Sequence, residues 1–165
     1  MGTRCGSIDP AIVAYVAKQN NISGDQVTKE LNKSSGLKGI TEGTIDMRCV
    51  LDAAAKGDAK FQLAVDMYVY ILAKHIAGMA VACGGVIDAL VFTAGIGENS
   101  AVIRARTVEL LAPMLRLELD SELNQCTNEG IISTDDKLRP LILIVPTDEE
   151  AMICAECMRL VGDML

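Results

Sequence analysis

The densest run of chemically useful residues in this chain is Ala94-Gly95-Ile96-Gly97-Glu98-Asn99-Ser100, which follows at once on the apolar run Ala89 to Thr93. An amphipathic pattern from Ala101 to Leu111 comes next. A strand that ends on closely spaced glycines and leads into a helix is how a backbone approaches a nucleotide. Glycine lacks a Cβ, so the chain can turn sharply and lie against a ligand that a side chain would push away. Ser100 stands where a dinucleotide fingerprint has its third glycine, and no Gly-Lys-Ser/Thr follows. The segment is therefore neither a Rossmann fingerprint nor a P-loop. On spacing alone, a nucleotide loop and a plain strand-to-helix turn fit it equally well.

Other reactive residues offer less. Cys154-x-x-Cys157 supplies half a zinc site with no second pair nearby. On a helix the two thiols are neighbours, expected as small buried hydrophobes. His75, the single histidine, falls inside a long helical pattern and is expected as a packed or half-exposed helix residue. Tyr68 and Tyr70 fit core and rim positions of the same helix.

The elements that must position these residues follow from periodicity and punctuation. Ser7-Ile8-Asp9-Pro10 opens a helix, since Pro10 suits a first turn. A second helix is expected over Gly24 to Asn32, and Ser34-Ser35-Gly36 with Gly39 marks a loop beyond it. Asp46 to Ala55 reads as a short helix. Asp58 to Cys83 is the strongest helical signal, stopped by Gly84-Gly85. Asp88 to Thr93 and Leu141 to Val145 read as buried strands, Arg116 to Leu119 as a further strand and Ser121 to Cys126 as a short helix. Pro146-Thr147-Asp148 leads into a last helix through Leu160, with Thr147 or Asp148 as its cap and Glu149 and Glu150 at its positive end. Buried strands separated by helices indicate α/β architecture, although an independent sheet usually has about four to six strands.

Composition narrows the function classes. The 165 residues suit one domain and are 50% hydrophobic but only 3% aromatic, so Ala, Val, Ile, Leu and Met must build the core. A formal charge of −7 with scattered Lys and Arg argues against a nucleic-acid surface. No charged leader precedes an apolar stretch, and the most apolar segment, Ile76 to Ile87, is too short to span a bilayer. Six cysteines without framework spacing suggest reduced thiols and a cytoplasmic protein without a membrane partner.

Four ordered segments carry a family resemblance. Ala94 to Ser100 resembles the nucleotide-contacting loop of acetate kinases and their short-chain carboxylate kinase relatives. Met1-Gly2-Thr3-Arg4-Cys5-Gly6-Ser7-Ile8-Asp9-Pro10 is similar to the family's central Met-Gly-Thr-Arg segment. Asp46-Met47-Arg48 resembles its Asp-Phe-Arg adenosine motif, with Met in place of Phe. Val145-Pro146-Thr147-Asp148-Glu149-Glu150 is similar to its Pro-Thr-Asn-Glu-Glu, with Asp148 where Asn is usual. The likeness runs from Met1 to about Val161.

That resemblance implies a fold, a reaction and a set of roles. The fold is a partial ribonuclease-H-like lobe of the actin and sugar-kinase kind, α/β and helix-rich with a short sheet. Residues 1–165 correspond to the C-terminal part of the second, nucleotide-binding lobe, with the N-terminal lobe absent. The reaction is reversible phosphoryl transfer between ATP and acetate, giving ADP and acetyl phosphate. Propionate or butyrate as acceptor and pyrophosphate as donor stay open.

Arg4 matches the transition-state stabiliser; its planar fork suits phosphoryl oxygens, and a surface salt bridge is its ordinary alternative. Asp46, Met47 and Arg48 match the adenosine site, where the Met thioether can pack on a purine. Gly95, Ile96, Gly97, Glu98 and Asn99 match the nucleotide loop, and Glu149 the acidic residue near Mg²⁺. The family's catalytic aspartate and functional histidines correspond to nothing in this chain. The chain alone is therefore expected to be inactive and to self-associate, as a homodimer or by pairing with the missing lobe. A non-catalytic nucleotide-binding or dimerisation module is the rival reading.

Overall fold

The computed structural model describes residues 2–134 and 139–162. Met1, the first residue of the Met-Gly-Thr-Arg segment, lies outside them. The chain divides into two compact units, Met1–Leu72 and Ala73–Leu165.

The first unit is helical. Its helices are α1 (Ala11–Asn20), α2 (Gly24–Lys33), α3 (Gly36–Thr41), α4 (Met47–Ala55) and the first half of α5 (Ala59–Ala82). Asp9 opens α1 by accepting the Ala11 N–H at 2.8 Å. Ser23 and Gln26 close a reciprocal capping box on α2, satisfying two otherwise orphaned N–H groups. Asp46 caps α4 by accepting the Arg48 N–H at 2.9 Å. The loop expected after Ser34 contains α3 instead. Its glycines hid the helix from periodicity, and a tie to the N-terminal segment holds it, Lys38 N–H to the Gly2 carbonyl at 2.9 Å. Among the described residues of this unit, Val27, Leu37, Met47, Val50, Ala64, Val65 and Val69 are the buried apolar ones.

In α5 the large and small apolar residues change places. Leu63, Met67 and Tyr70 form an exposed stripe, whereas Ala64, Val65, Val69, Ala73 and Ala80 are buried. Small side chains let neighbouring backbones come close, so the interior takes the alanines and valines. By length and composition α5 is long and apolar enough to cross a membrane, the one such helix among the described residues. Ala64, Val65, Val69, Ala73 and Ala80 line its buried face, and its other residues are exposed or half-buried. His75 is exposed, and Tyr68 half-buried.

The second unit holds the sheet. After α5 come β1 (Ala89–Phe92), α6 (Ala94–Asn99), α7 (Ala101–Leu115), α8 (Ser121–Cys126), β2 (Gly130–Ile131), β3 (Leu141–Ile144) and α9 (Glu149–Gly162). The strand order is β1-β3-β2, with β1 and β3 parallel in the register Ala89 to Leu141 through Phe92 to Ile144, and β2 antiparallel to β3. The strand expected at Arg116 to Leu119 is reduced to one bridge, Leu119 to Ser133, because Arg116 is the left-handed C-cap of α7 at φ 57°. Leu90, Phe92, Ile132, Ile142 and Ile144 from the sheet region pack with Val108, Leu111 and Leu115 of α7 and with Ala73 and Ala80 of α5. This small mixed sheet in a helix-rich setting agrees with the expected partial α/β lobe.

Candidate functional site

Parallel pairing sends β1 and β3 in one direction, so the segments that follow them leave from the same edge of the sheet. From β1 comes Thr93 to Ser100, and from β3 comes Val145 to Glu149. The carboxyl edge of a parallel sheet is where α/β proteins bind ligands. A cavity of about 310 Å³ lies at the other end, lined by Val86, Asp88, Arg116, Arg139 and Pro140, away from these segments.

The glycine segment is helical rather than an open turn. The sharp turn falls on Ala94, at φ 58°, and neither Gly95 nor Gly97 takes a positive φ. The two glycines serve different ends. A Cβ on Gly97 would stand 3.3 Å from the Phe92 carbonyl carbon, so this residue lets α6 press on the end of β1. A Cβ on Gly95 would meet nothing within 4 Å, and Gly95 faces open space. Ile96, Gly97 and Glu98 are half-buried and Asn99 is exposed, its side-chain N–H donating to the Gly95 carbonyl at 2.9 Å.

Glu98 joins the two segments. Its Oε1 accepts the Thr147 N–H at 2.9 Å and the Thr147 hydroxyl at 3.0 Å, across 49 positions of sequence. The Thr147 N–H, then the Thr147 hydroxyl and the Ala94 N–H, hold this carboxyl below its ordinary value of 4.5 against the opposing pull of desolvation. Asp148, not Thr147, caps α9, accepting the Ala151 N–H at 2.9 Å. Glu149 is then the first, exposed residue of α9.

Beneath the glycine segment lies a residue that sequence reasoning did not single out. Arg104 of α7 is 2% exposed. Its Nη1 donates to the carbonyls of Gly97 at 2.9 Å and Glu98 at 2.7 Å. Its Nε and Nη2 donate to the side-chain and main-chain oxygens of Asn124 at 2.8 and 2.6 Å. Burial lowers the pKa of this guanidinium. One sequence signal pointed inward: Arg104 shares the spacing of Val108, Leu111 and Leu115, the buried stripe of α7.

In the first unit the expected residues lie on two local features. Arg4 is exposed on a segment fixed at both neighbours, with the Thr3 carbonyl accepting from Ser35 N–H and Cys5 N–H donating to Leu31, both at 2.9 Å. Among the described residues Arg4 forms no ion pair, so the salt-bridge alternative is not realised there. Asp46 and Arg48 are paired through Oδ2 and Nη2 at 2.6 Å, on side chains 40% and 87% exposed. The Arg48 side chain and backbone N–H bring the Asp46 carboxyl down to about 2. Met47 between them is buried at 4% exposure, so its thioether packs inside the unit and only its neighbours reach solvent.

Glu149 is an exposed oxygen donor, and magnesium commonly takes one or two carboxylates beside phosphates and waters. No cluster of three or more candidate metal ligands occurs among the described residues. Cys154 and Cys157, expected to be buried, are exposed free thiols, because α9 buries no residue in this chain.

Comparison with known proteins agrees with the motif reading. The family model described as the acetokinase family matches residues 1–155. Acetate kinase 2 of Neisseria meningitidis serogroup A is 49% identical over 165 residues, covering 98% of this chain and 41% of its own length. Acetate kinase of Carboxydothermus hydrogenoformans is 46% identical over 162 residues, covering 98% and 40%. Among solved structures, Porphyromonas gingivalis acetate kinase superposes with a TM-score of 0.86 at 32% identity, over 98% of this chain and 40% of that one. A propionate kinase from Francisella tularensis gives 0.84 at 40% identity, over 93% and 38%. The chain thus spans about two fifths of the length of the relatives it matches.

Proposed function

The chain belongs to the acetokinase family, and on that footing we propose that it is the nucleotide-side part of a carboxylate kinase. The reaction is transfer of a phosphoryl group between ATP and acetate, giving ADP and acetyl phosphate. Propionate is the second acceptor to test, given the likeness to the Francisella propionate kinase. The observation that supports this most is the pair of motif segments leaving one sheet edge and tied by Glu98 to Thr147.

Each group has a task that its chemistry suits. The segment from Gly95 to Asn99 holds the nucleotide, with the open space at Gly95 admitting it closely. Asp46 and Arg48 border the adenosine, and Met47 serves as the buried anchor that holds both at the surface. Arg4 presents a guanidinium from a fixed backbone to the transferring phosphoryl group, where donors placed for the transition state accelerate transfer. Glu149 holds Mg²⁺, which when bound neutralises charge on the phosphates.

The other reacting groups come from the part of the relatives' length that this chain does not span. Residues 1–165 form the C-terminal part of the second lobe, in a cytoplasmic protein. The chain alone is inactive and pairs with a second copy or with the complementary lobe. Exposed Leu63, Met67 and Tyr70 on α5, and Met152, Ile153 and Leu160 on α9, are apolar surface such a partner would cover.

Calorimetric titration with magnesium ADP tests the nucleotide assignment. Gly95→Val is expected to abolish the binding seen in the parent, since a branched side chain fills the open space. Equal affinity in a folded Gly95→Val variant would remove the glycine segment from the site.

A further inference from the structure

The buried Arg104 has no task in the reading above, yet its side chain is committed to hydrogen bonds at every guanidinium nitrogen. Four hydrogen bonds leave its guanidinium, two to α6 and two to Asn124 of α8. Asn124 is itself 1% exposed and donates to the Ala101 carbonyl at 3.0 Å. Burying a guanidinium is costly, and no carboxylate accepts from it among the described residues. What it receives instead is carbonyl oxygen from the last turn of α6, where helix carbonyls otherwise lack partners. A planar fork can hold Gly97, Glu98 and Asn124 at fixed separations, which a lysine's point charge cannot.

The consequence lies one residue away. The Glu98 carbonyl is held by Arg104 and the Glu98 carboxylate holds Thr147. Asp148, next in the chain, caps the helix that begins with Glu149. A continuous path therefore runs from Asn124 through Arg104 and Glu98 to the start of α9. The break between α6 and α7 at Ser100, at φ −119° and ψ 90°, would otherwise let α6 pivot.

We infer that Arg104 is a positioning residue: it fixes the last turn of α6 so that Glu98 locks the glycine segment to the Thr147–Glu149 turn. The inference rests on the proposed nucleotide site for its functional consequence, and on the geometry alone for the lock. Arg104 touches no substrate in this account and acts through Glu98.

Residue-resolved hydrogen exchange on the chain, with ADP affinity measured in parallel, separates this from ordinary stabilisation. In Arg104→Lys the Thr147 amide, whose acceptor is Glu98, is expected to exchange about tenfold faster, while the Ile132 amide, bonded to Ile142 in the core, stays within about twofold. ADP binding is expected to weaken about tenfold, and Thr147→Val added to Arg104→Lys is expected to cost less than about twofold more. Unchanged protection at Thr147, equal acceleration at Thr147 and Ile132, or additive losses in the double variant would overturn the lock. Should Arg104→Lys fail to fold, Asn124→Ala removes one side of the clamp and is judged by the same two amides. A parent chain that binds no ADP counts against the proposed function only, since the exchange comparison still decides whether Arg104 positions Glu98.

Discussion

The two motif regions of this molecule are built on opposite principles. In the first unit, Asp46 and Arg48 satisfy each other two positions apart on a helix start, both in solvent. In the second, Glu98 reaches Thr147 across 49 positions and leans on a buried arginine that reaches Asn124 across 20. A local exposed pair keeps its geometry from the helix beneath it, so its charges contribute little to folding. A long-range network, buried at Arg104 and Asn124, half-buried at Glu98 and exposed at Thr147, holds separate strands' outgoing segments in register, and each member depends on the rest. Stability and function are thus separable in the first region and entangled in the second.

The largest expected loss comes from the centre of the network. Arg104→Met leaves the Gly97, Glu98 and Asn124 oxygens without donors, at a cost of about 3 kcal/mol from their lost hydrogen bonds. Urea unfolding checks this, and a midpoint like the parent's would make the buried guanidinium dispensable.

The two glycines sharpen the contrast inside one segment. Gly97→Val pushes into the Phe92 backbone and is expected to cost about 2 kcal/mol by overpacking. Gly95→Val meets open space and is expected to change unfolding by less than about 1 kcal/mol, since glycine is itself a poor helix former. Equal destabilisation by both would dissolve the distinction between a packing glycine and a ligand-facing one.

Protonation probes the link more gently. Because the folded Glu98 carboxyl is held low, its contribution is complete above the ordinary value of 4.5 and is lost as pH falls through the lower folded value. The Thr147 amide resonance should therefore shift only below 4.5, and stay flat in Glu98→Gln.

The smallest effect belongs to the first region. Arg48→Ala is expected to leave the unfolding midpoint near the parent's while weakening ADP binding in a protein joined to the N-terminal portion that the relatives carry. A large stability loss would mean that the exposed pair supports the fold after all.

How much of this was legible in the sequence follows from the same contrast. β1, β3, α4, α5 and α8 fell where apolar runs, spacing and caps indicated, because each is specified by its own residues. Three elements were not so specified. α3 carries two glycines and is held by the Gly2 carbonyl, α6 reads as a turn because of its glycines, and β2 exists only as a partner for β3. The motif residues were visible because family likeness marks them. Arg104 was not, since a charged residue on an amphipathic helix ordinarily faces water, and only the tertiary fold brings Asn124 and the α6 carbonyls to it.

The central claim is that this chain carries the nucleotide half of a carboxylate kinase. Its most direct test is acetyl phosphate formation from ATP and acetate by the chain alone, by a complementary N-terminal portion alone, and by the two mixed. We predict no product from either alone, turnover on mixing, and its loss when the chain carries Gly95→Val. Acetyl phosphate from the chain alone, or turnover on mixing that survives Gly95→Val, would contradict the account.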